Sequence, residues 1–222
     1  MSVVAKRIRQ GSLYVITDPG AQRGRGHVEV LSEAIRGGAS LVQLRDKSAT
    51  DAELIETGKV LREICNRYGA LLIVNDRVNV AKAIGADGLH LGQDDLSMTD
   101  ARHEMGEEGL IGVSTHHLEQ ALSAEDAGAD YIGVGPIFRT PTKPGYPPVG
   151  IEFIRKVSQE IQIPFFAIGG IDLSNVEEVL AAGAHSVAVV RAVVAQKDIF
   201  DATQQFKKAL EARRGLLEDK NE

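Results

Sequence analysis

Eight short apolar runs rich in β-branched residues recur along the chain: Leu13 to Thr17, Ser40 to Leu44, Leu71 to Asn75, Gly88 to Leu91, Leu110 to Ser114, Tyr131 to Gly135, Pro164 to Ile168 and Ser186 to Val190. Between them apolar residues fall three or four apart, as at Leu61 and Ile64 or at Val176, Val179 and Leu180, the period of a helix with one buried face. A strand followed by a helix, repeated, predicts parallel strands with helices outside them, because parallel neighbours need a crossover. Eight such strands can close on themselves and leave no exposed edge. The expected fold is therefore α/β, a single (β/α)8 TIM barrel rather than a doubly wound open sheet. It takes in residues 1–222 as one domain, with a core from about 12 to 210 and a polar tail, Arg213 to Glu222, that reads as a frayed helix end.

A weaker repeat points the same way. Gly38-Ala39, Gly69-Ala70, Gly85-Ala86, Gly128-Ala129 and Gly183-Ala184 each stand just before a strand, where glycine ends a helix in a left-handed turn. These turns are plain, whereas the segments after the strands hold the polar chemistry. That asymmetry places a site at the C-terminal mouth of the barrel.

Composition narrows what the site can serve. With 25 Lys and Arg against 31 Asp and Glu, the net charge of −6 argues against nucleic acid as a partner. An anionic small molecule stays open, provided that cations collect locally. No apolar stretch nears the roughly 18 residues of a membrane span and none resembles a signal peptide, so no membrane partner and a cytoplasmic location are expected. The single Cys65 excludes a disulfide, a cysteine zinc site and a redox pair, and reads as a buried thiol in a reducing compartment. A homo-oligomer is compatible with all of this.

The strand ends carry the candidates. Period-two alternation puts Gln43, Arg45 and Lys47 on one side after the second strand, either facing the mouth or forming a solvated loop. Asp76 follows the third strand and Asp94-Asp95 the fourth. Adjacent strands lie about 5 Å apart, so Asp76 and Asp95 can reach one ion. Without a His or Cys cluster that ion would be Mg²⁺ rather than zinc. The bland reading makes each aspartate a helix N-cap, a role that suits Asp94 better than Asp95. Ser114 also reads as an N-cap, His116 and His117 as exposed residues opening a helix, and His90 as a packed, hydrogen-bonded core residue. After the sixth strand, Phe138 to Pro148 is a proline-stiffened loop whose Thr140, Thr142 and Lys143 suit a phosphate. Gly169-Gly170, after the seventh strand, lets backbone N–H groups approach an anion.

Through Gln43-Leu44-Arg45-Asp46-Lys47, Asn75-Asp76-Arg77, His90 to Asp95, Thr140 to Gly145 and Ala167 to Ile171, the chain resembles the thiamine phosphate synthase family over about residues 12 to 210. The resemblance implies a transferase that displaces pyrophosphate from a hydroxymethylpyrimidine pyrophosphate with the ring nitrogen of a thiazole phosphate, or of its carboxylated form. It implies that Gln43, Leu44, Arg45, Asp46, Lys47, Asn75, Ser114 and Lys143 hold the pyrimidine pyrophosphate. Arg45, Lys47, Ser114 and Lys143 would assist its departure. Asp76 and Asp95 would hold one Mg²⁺, and Thr140, Pro141, Thr142, Gly170, Val190 and Arg191 the thiazole phosphate. Arg191 stands where the family usually has Ser. Two rivals are a thiazole tautomerase on the same barrel, which needs no carboxylate pair, and a non-catalytic barrel that binds a phosphorylated ligand.

Overall fold

The computed structural model describes residue 8 and residues 11–142 and 145–218, with only the backbone in the last five. Eight parallel strands follow one another around a closed barrel: β1 (Leu13–Ile16), β2 (Leu41–Leu44), β3 (Leu71–Asn75), β4 (Gly88–Leu91), β5 (Leu110–Thr115), β6 (Tyr131–Val134), β7 (Phe165–Ile168) and β8 (Ser186–Val189). Closure comes from β8 pairing with β1, Val189 opposite Val15. Outside lie α1 (His27–Gly37), α2 (Asp51–Tyr68), α3 (Val78–Ala83), α4 (Met98–Met105), α5 (Leu118–Asp126), α6 (Ile151–Glu160), α7 (Val176–Ala181), a short α8 (Arg191–Val194) and α9 (Ile199–Glu218). The TIM barrel expected from the alternation is the fold. The backbone of α9 runs on as helix to Glu218, into the polar tail expected from Arg213, and 219–222 lie outside the described residues.

Alternation along each strand divides the apolar residues between two cores. Val15, Val42, Leu72, Leu89, Ile111, Ile132, Ala167 and Val187 face outward and pack beneath the helices. Tyr14, Ile16, Leu41, Leu71, Ile73, Leu110, Tyr131, Phe166 and Ala188 fill the inside. Three aromatic side chains share that lumen, and the Tyr131 ring fits because Gly112 faces it. A Cβ at Gly112 would lie 2.1 Å from Cζ of Tyr131.

The N-terminal end of the barrel is structural. All five glycines of the Gly-Ala repeat have positive φ, and Ala39, Ala70, Ala129 and Ala184 behind them are buried. At two of these turns the next residue does a further job. Asp87 accepts from the Leu72 amide at 2.7 Å and pairs with Arg62 at 2.6 Å, and Asp130 accepts from Ile111 at 2.8 Å and pairs with Arg102 at 2.7 Å. Each aspartate so caps a strand and ties it to a helix. Cys65 is buried in this layer, where desolvation pushes its thiol up to about 12 and leaves it inert.

Candidate functional site

A cavity of about 480 Å³ opens at the C-terminal ends of the strands. Gln43, Asn75, His90 and Ser114 project into it from β2, β3, β4 and β5, above the rings of Tyr14 and Tyr131. Arg23, Arg45, Arg139 and Arg191 also line it, and no hydrogen bond or ion pair engages their guanidinium groups within the described residues. An acidic protein thus gathers four guanidinium groups around one hole, the local cluster that an anionic ligand requires.

Of the residues expected around a pyrimidine pyrophosphate, Gln43, Arg45, Asn75 and Ser114 line the cavity. Lys47 does not line it; its exposed side chain puts Nζ 3.7 Å from Asp76 Oδ2. Two others turn away. Leu44 alternates with Gln43 and so points outward into the helix-side core. The carboxylate of Asp46 faces His27 Nε2 at 3.1 Å and accepts from the Ser48 amide and hydroxyl and from the Ala49 amide. Partial burial would raise its pKa, but those four hydrogen bonds prevail and hold it down to about 2. Asp46 is thereby a latch between the loops after β1 and β2, whatever its backbone contributes to a ligand. Lys143 lies outside the described residues.

Asp76 and Asp95 come together as the strand order predicts, their carboxyl groups within hydrogen-bonding reach. Burial and then the neighbouring Asp95 carboxyl push the pKa of Asp76 up, against the pull of Lys47 and a hydrogen bond from Asn75. Neither aspartate caps a helix. Arg77 holds the N-cap position of α3, Ser97 caps α4 through its hydroxyl, and Asp95 Oδ2 instead accepts from Gly92 N at 2.6 Å. Asp94 is no cap either. Two adjoining carboxylates, with no group of three or more His, Cys, Asp or Glu among the described residues, form a donor set for a hard divalent ion that completes its shell with water and phosphate oxygens. The residues present therefore fit Mg²⁺ and do not fit zinc.

Thr140, Pro141, Thr142, Gly170, Val190 and Arg191, expected around the thiazole phosphate, all line the opposite side. The hydroxyl of Thr142 is buried and has no partner among the described residues. The loop after β6 is pinned to the end of β7, with Ile137 N donating to Ile168 O and Phe138 N to Gly169 O, both at 2.9 Å. This crowding explains the glycine pair. A Cβ at Gly169 would sit 2.4 Å from Pro136 Cβ, and one at Gly170 2.7 Å from the Arg139 carbonyl, with φ of +99° and +65°. Farther along the loop, Tyr146 stacks on His116, ring centres 4.4 Å apart, while His116 Nδ1 bonds the Gly135 carbonyl.

Ser114 is not an N-cap, since His117 holds that position for α5, and its Oγ is 3.0 Å from His90 Nε2. His116 is half-buried in the cavity wall and precedes the helix; only His117 is exposed. His90 is hydrogen-bonded as expected but also faces the cavity. Its place was readable, since alternation puts it on the inward face with Gly88. Arg23 and Arg139 were missed as lining residues. Arg23 adopts φ +56°, which nothing in its sequence neighbourhood signals.

A profile of the thiamine monophosphate synthase family matches residues 13–193. The chain is 50% identical over 196 residues to the thiamine-phosphate synthase of Chloroflexus aurantiacus, covering 88% of this chain and 90% of that one. It is 45% identical over 207 residues to that of Halalkalibacterium halodurans, covering 93% and 98%. The solved structure of thiamine phosphate pyrophosphorylase from Pyrococcus furiosus is 40% identical and superposes with a TM-score of 0.85, over 94% of this chain and 98% of that chain.

Proposed function

The chain belongs to the thiamine monophosphate synthase family, and we propose that it is a transferase joining a hydroxymethylpyrimidine pyrophosphate to a thiazole phosphate, with release of pyrophosphate and formation of thiamine phosphate. What supports this reading is the cavity lined by four arginines, together with the meeting of Asp76, which directly follows the lining residue Asn75, with Asp95 and Lys47; these three residues do not themselves line the cavity.

The difficult step is the departure of a multiply charged diphosphate from the pyrimidine methylene. Arg45, Lys47 and the expected Lys143 stabilise the charge that develops on it, and Gln43, Asn75 and Ser114 hold the ring. Held by Asp76 and Asp95, Mg²⁺ would neutralise charge on the leaving diphosphate. Shelter matters: a pair of unit charges at 4 Å is worth about 1 kcal/mol in water and roughly 4 at an effective dielectric near 20. The loop from Phe138 to Pro148 supplies that shelter and keeps water from the pyrimidine carbocation. The attacking ring nitrogen carries no proton, so no general base is needed.

On the other side the Thr142 hydroxyl, buried and without a partner among the described residues, and the backbone around Gly170 take the thiazole phosphate, with Val190 and Arg191 beside them. The tautomerase reading would leave the carboxylate pair without work. Incubating the protein with both substrates and Mg²⁺, then oxidising the product to thiochrome, tests the proposal. Fluorescence that needs both substrates is expected, and its absence would overturn the reading.

A further inference from the structure

A line of hydrogen bonds crosses the barrel just below the cavity. Gln43 Nε2 donates to Tyr14 Oη at 2.5 Å, the hydroxyls of Tyr14 and Tyr131 are 3.2 Å apart, Tyr131 Oη is 3.1 Å from His90 Nδ1, and His90 Nε2 is 3.0 Å from Ser114 Oγ. Five residues from β2, β1, β6, β4 and β5 are joined in this way, and the two ends, Gln43 and Ser114, both line the cavity. The barrel makes room for the line at Gly112, where a Cβ would run into the Tyr131 ring.

The line has a direction. Tyr14 and Tyr131 are fully buried, and desolvation pushes both phenols far above their ordinary range, so each keeps one hydrogen that must find an acceptor. At Tyr14 the Gln43 amide already donates, which leaves Tyr131 Oη as the acceptor for the Tyr14 hydrogen. Tyr131 must then donate to His90 Nδ1. His90 is thereby fixed with its proton on Nε2, which donates to Ser114 Oγ. The Ser114 hydrogen is the one left over, on a residue that lines the cavity. Turning a single link around would strand a buried hydroxyl hydrogen or set two against each other, at a cost of about 1–3 kcal/mol.

We propose that Tyr14, Tyr131 and His90 are positioning residues that make Ser114 an obligatory hydrogen-bond donor, so that the atom it meets on the substrate is an acceptor, an anionic oxygen or an unprotonated ring nitrogen. The inference rests on the proposed contact of Ser114 with the pyrimidine diphosphate. A hydroxyl free to rotate would divide its time between donating and accepting. One whose lone pair is already taken by His90 is organised in advance for the developing charge.

Two measurements test it. In a ¹⁵N-histidine spectrum of the full chain at a pH where imidazoles are neutral, the signal that disappears in His90→Asn should report a proton on Nε2. A proton on Nδ1 would mean that the line runs from Ser114 towards the Gln43 carbonyl, and would overturn the proposal. In kinetics, Tyr131→Phe should lower kcat roughly tenfold with little change in KM for the thiazole phosphate. Combined with Ser114→Ala it should cost nothing further, because Tyr131 acts through that hydroxyl. Full additivity of the two losses would also overturn it. The spectrum does not depend on turnover, so an inactive wild-type protein would count against the proposed function, and an active one with the wrong tautomer against this inference alone.

Discussion

Asp76, at the end of β3, and Asp95, after β4, bring their carboxyl groups within hydrogen-bonding reach of each other, with Lys47 Nζ 3.7 Å from Asp76 to offset part of their charge. A carboxyl whose folded pKa is raised costs stability once ionised, and the cost disappears as pH falls through that raised value and the folded protein takes up the proton. Asp95→Asn should therefore stabilise the metal-free protein at neutral pH. A gain of about 1 kcal/mol would add roughly 2–4 °C to Tm, and the gap should close in the acid range where Asp76 is protonated. Mg²⁺ should raise the Tm of the wild type more than that of the variant. Equal melting at all pH values would show that the two groups do not interact.

Turnover should respond in the opposite sense. Asp76→Asn and Asp95→Asn should each reduce kcat by about two orders of magnitude, the size of a lost electrostatic contact to the leaving group. Affinity for the thiazole phosphate, measured by calorimetry, should stay within about twofold, since the residues proposed to hold it line the other side of the cavity. Full turnover in both variants would remove the carboxylates from the reaction.

Asp46 makes the converse case. Hydrogen bonds to Ser48, Ala49 and His27 lower its pKa from 3.8 to about 2, so the stability it contributes is present above pH 4 and is lost as the pH falls towards 2. Asp46→Asn should melt below the wild type at neutral pH, with the difference narrowing on acidification. A constant difference from pH 7 to pH 2 would mean that its charge is irrelevant to the latch.

Much of this architecture can be read from the chain because its signals are local. The twofold and 3.6-fold periods identify strands and helices, and the order of the strands makes Asp76 and Asp95 neighbours. Other features depend on contacts that no local spacing encodes. Tyr131 meets His90 across the lumen, from strands separated by β5, and alternation says only that both point inward. Gly169 and Gly170 read as an anion cradle, yet what the fold demands of them first is room for Pro136, Phe138 and the Arg139 carbonyl. Asp46 followed two places later by Ser48 is a recognisable turn signal, and it explains why this member of the strand-end motif faces its own loop.

At Gly170 a side chain would have to accept φ +65° and a Cβ 2.7 Å from the Arg139 carbonyl and the Phe138 Cβ. Gly170→Ala should cost about 1–3 kcal/mol of stability and raise KM for the thiazole phosphate about tenfold or more, with a much smaller effect on the pyrimidine substrate. Equal changes in both KM values would point to general damage to the barrel instead.

The proposed chemistry depends on an ion held between two aspartates at the leaving diphosphate. Crystals grown with Mn²⁺ in place of Mg²⁺ and with the pyrimidine pyrophosphate, measured for anomalous scattering, test that directly. The expected result is one strong peak bridging the Asp76 and Asp95 carboxylates and the diphosphate oxygens. A bound diphosphate with no peak there, and both side chains turned from it, would contradict the account.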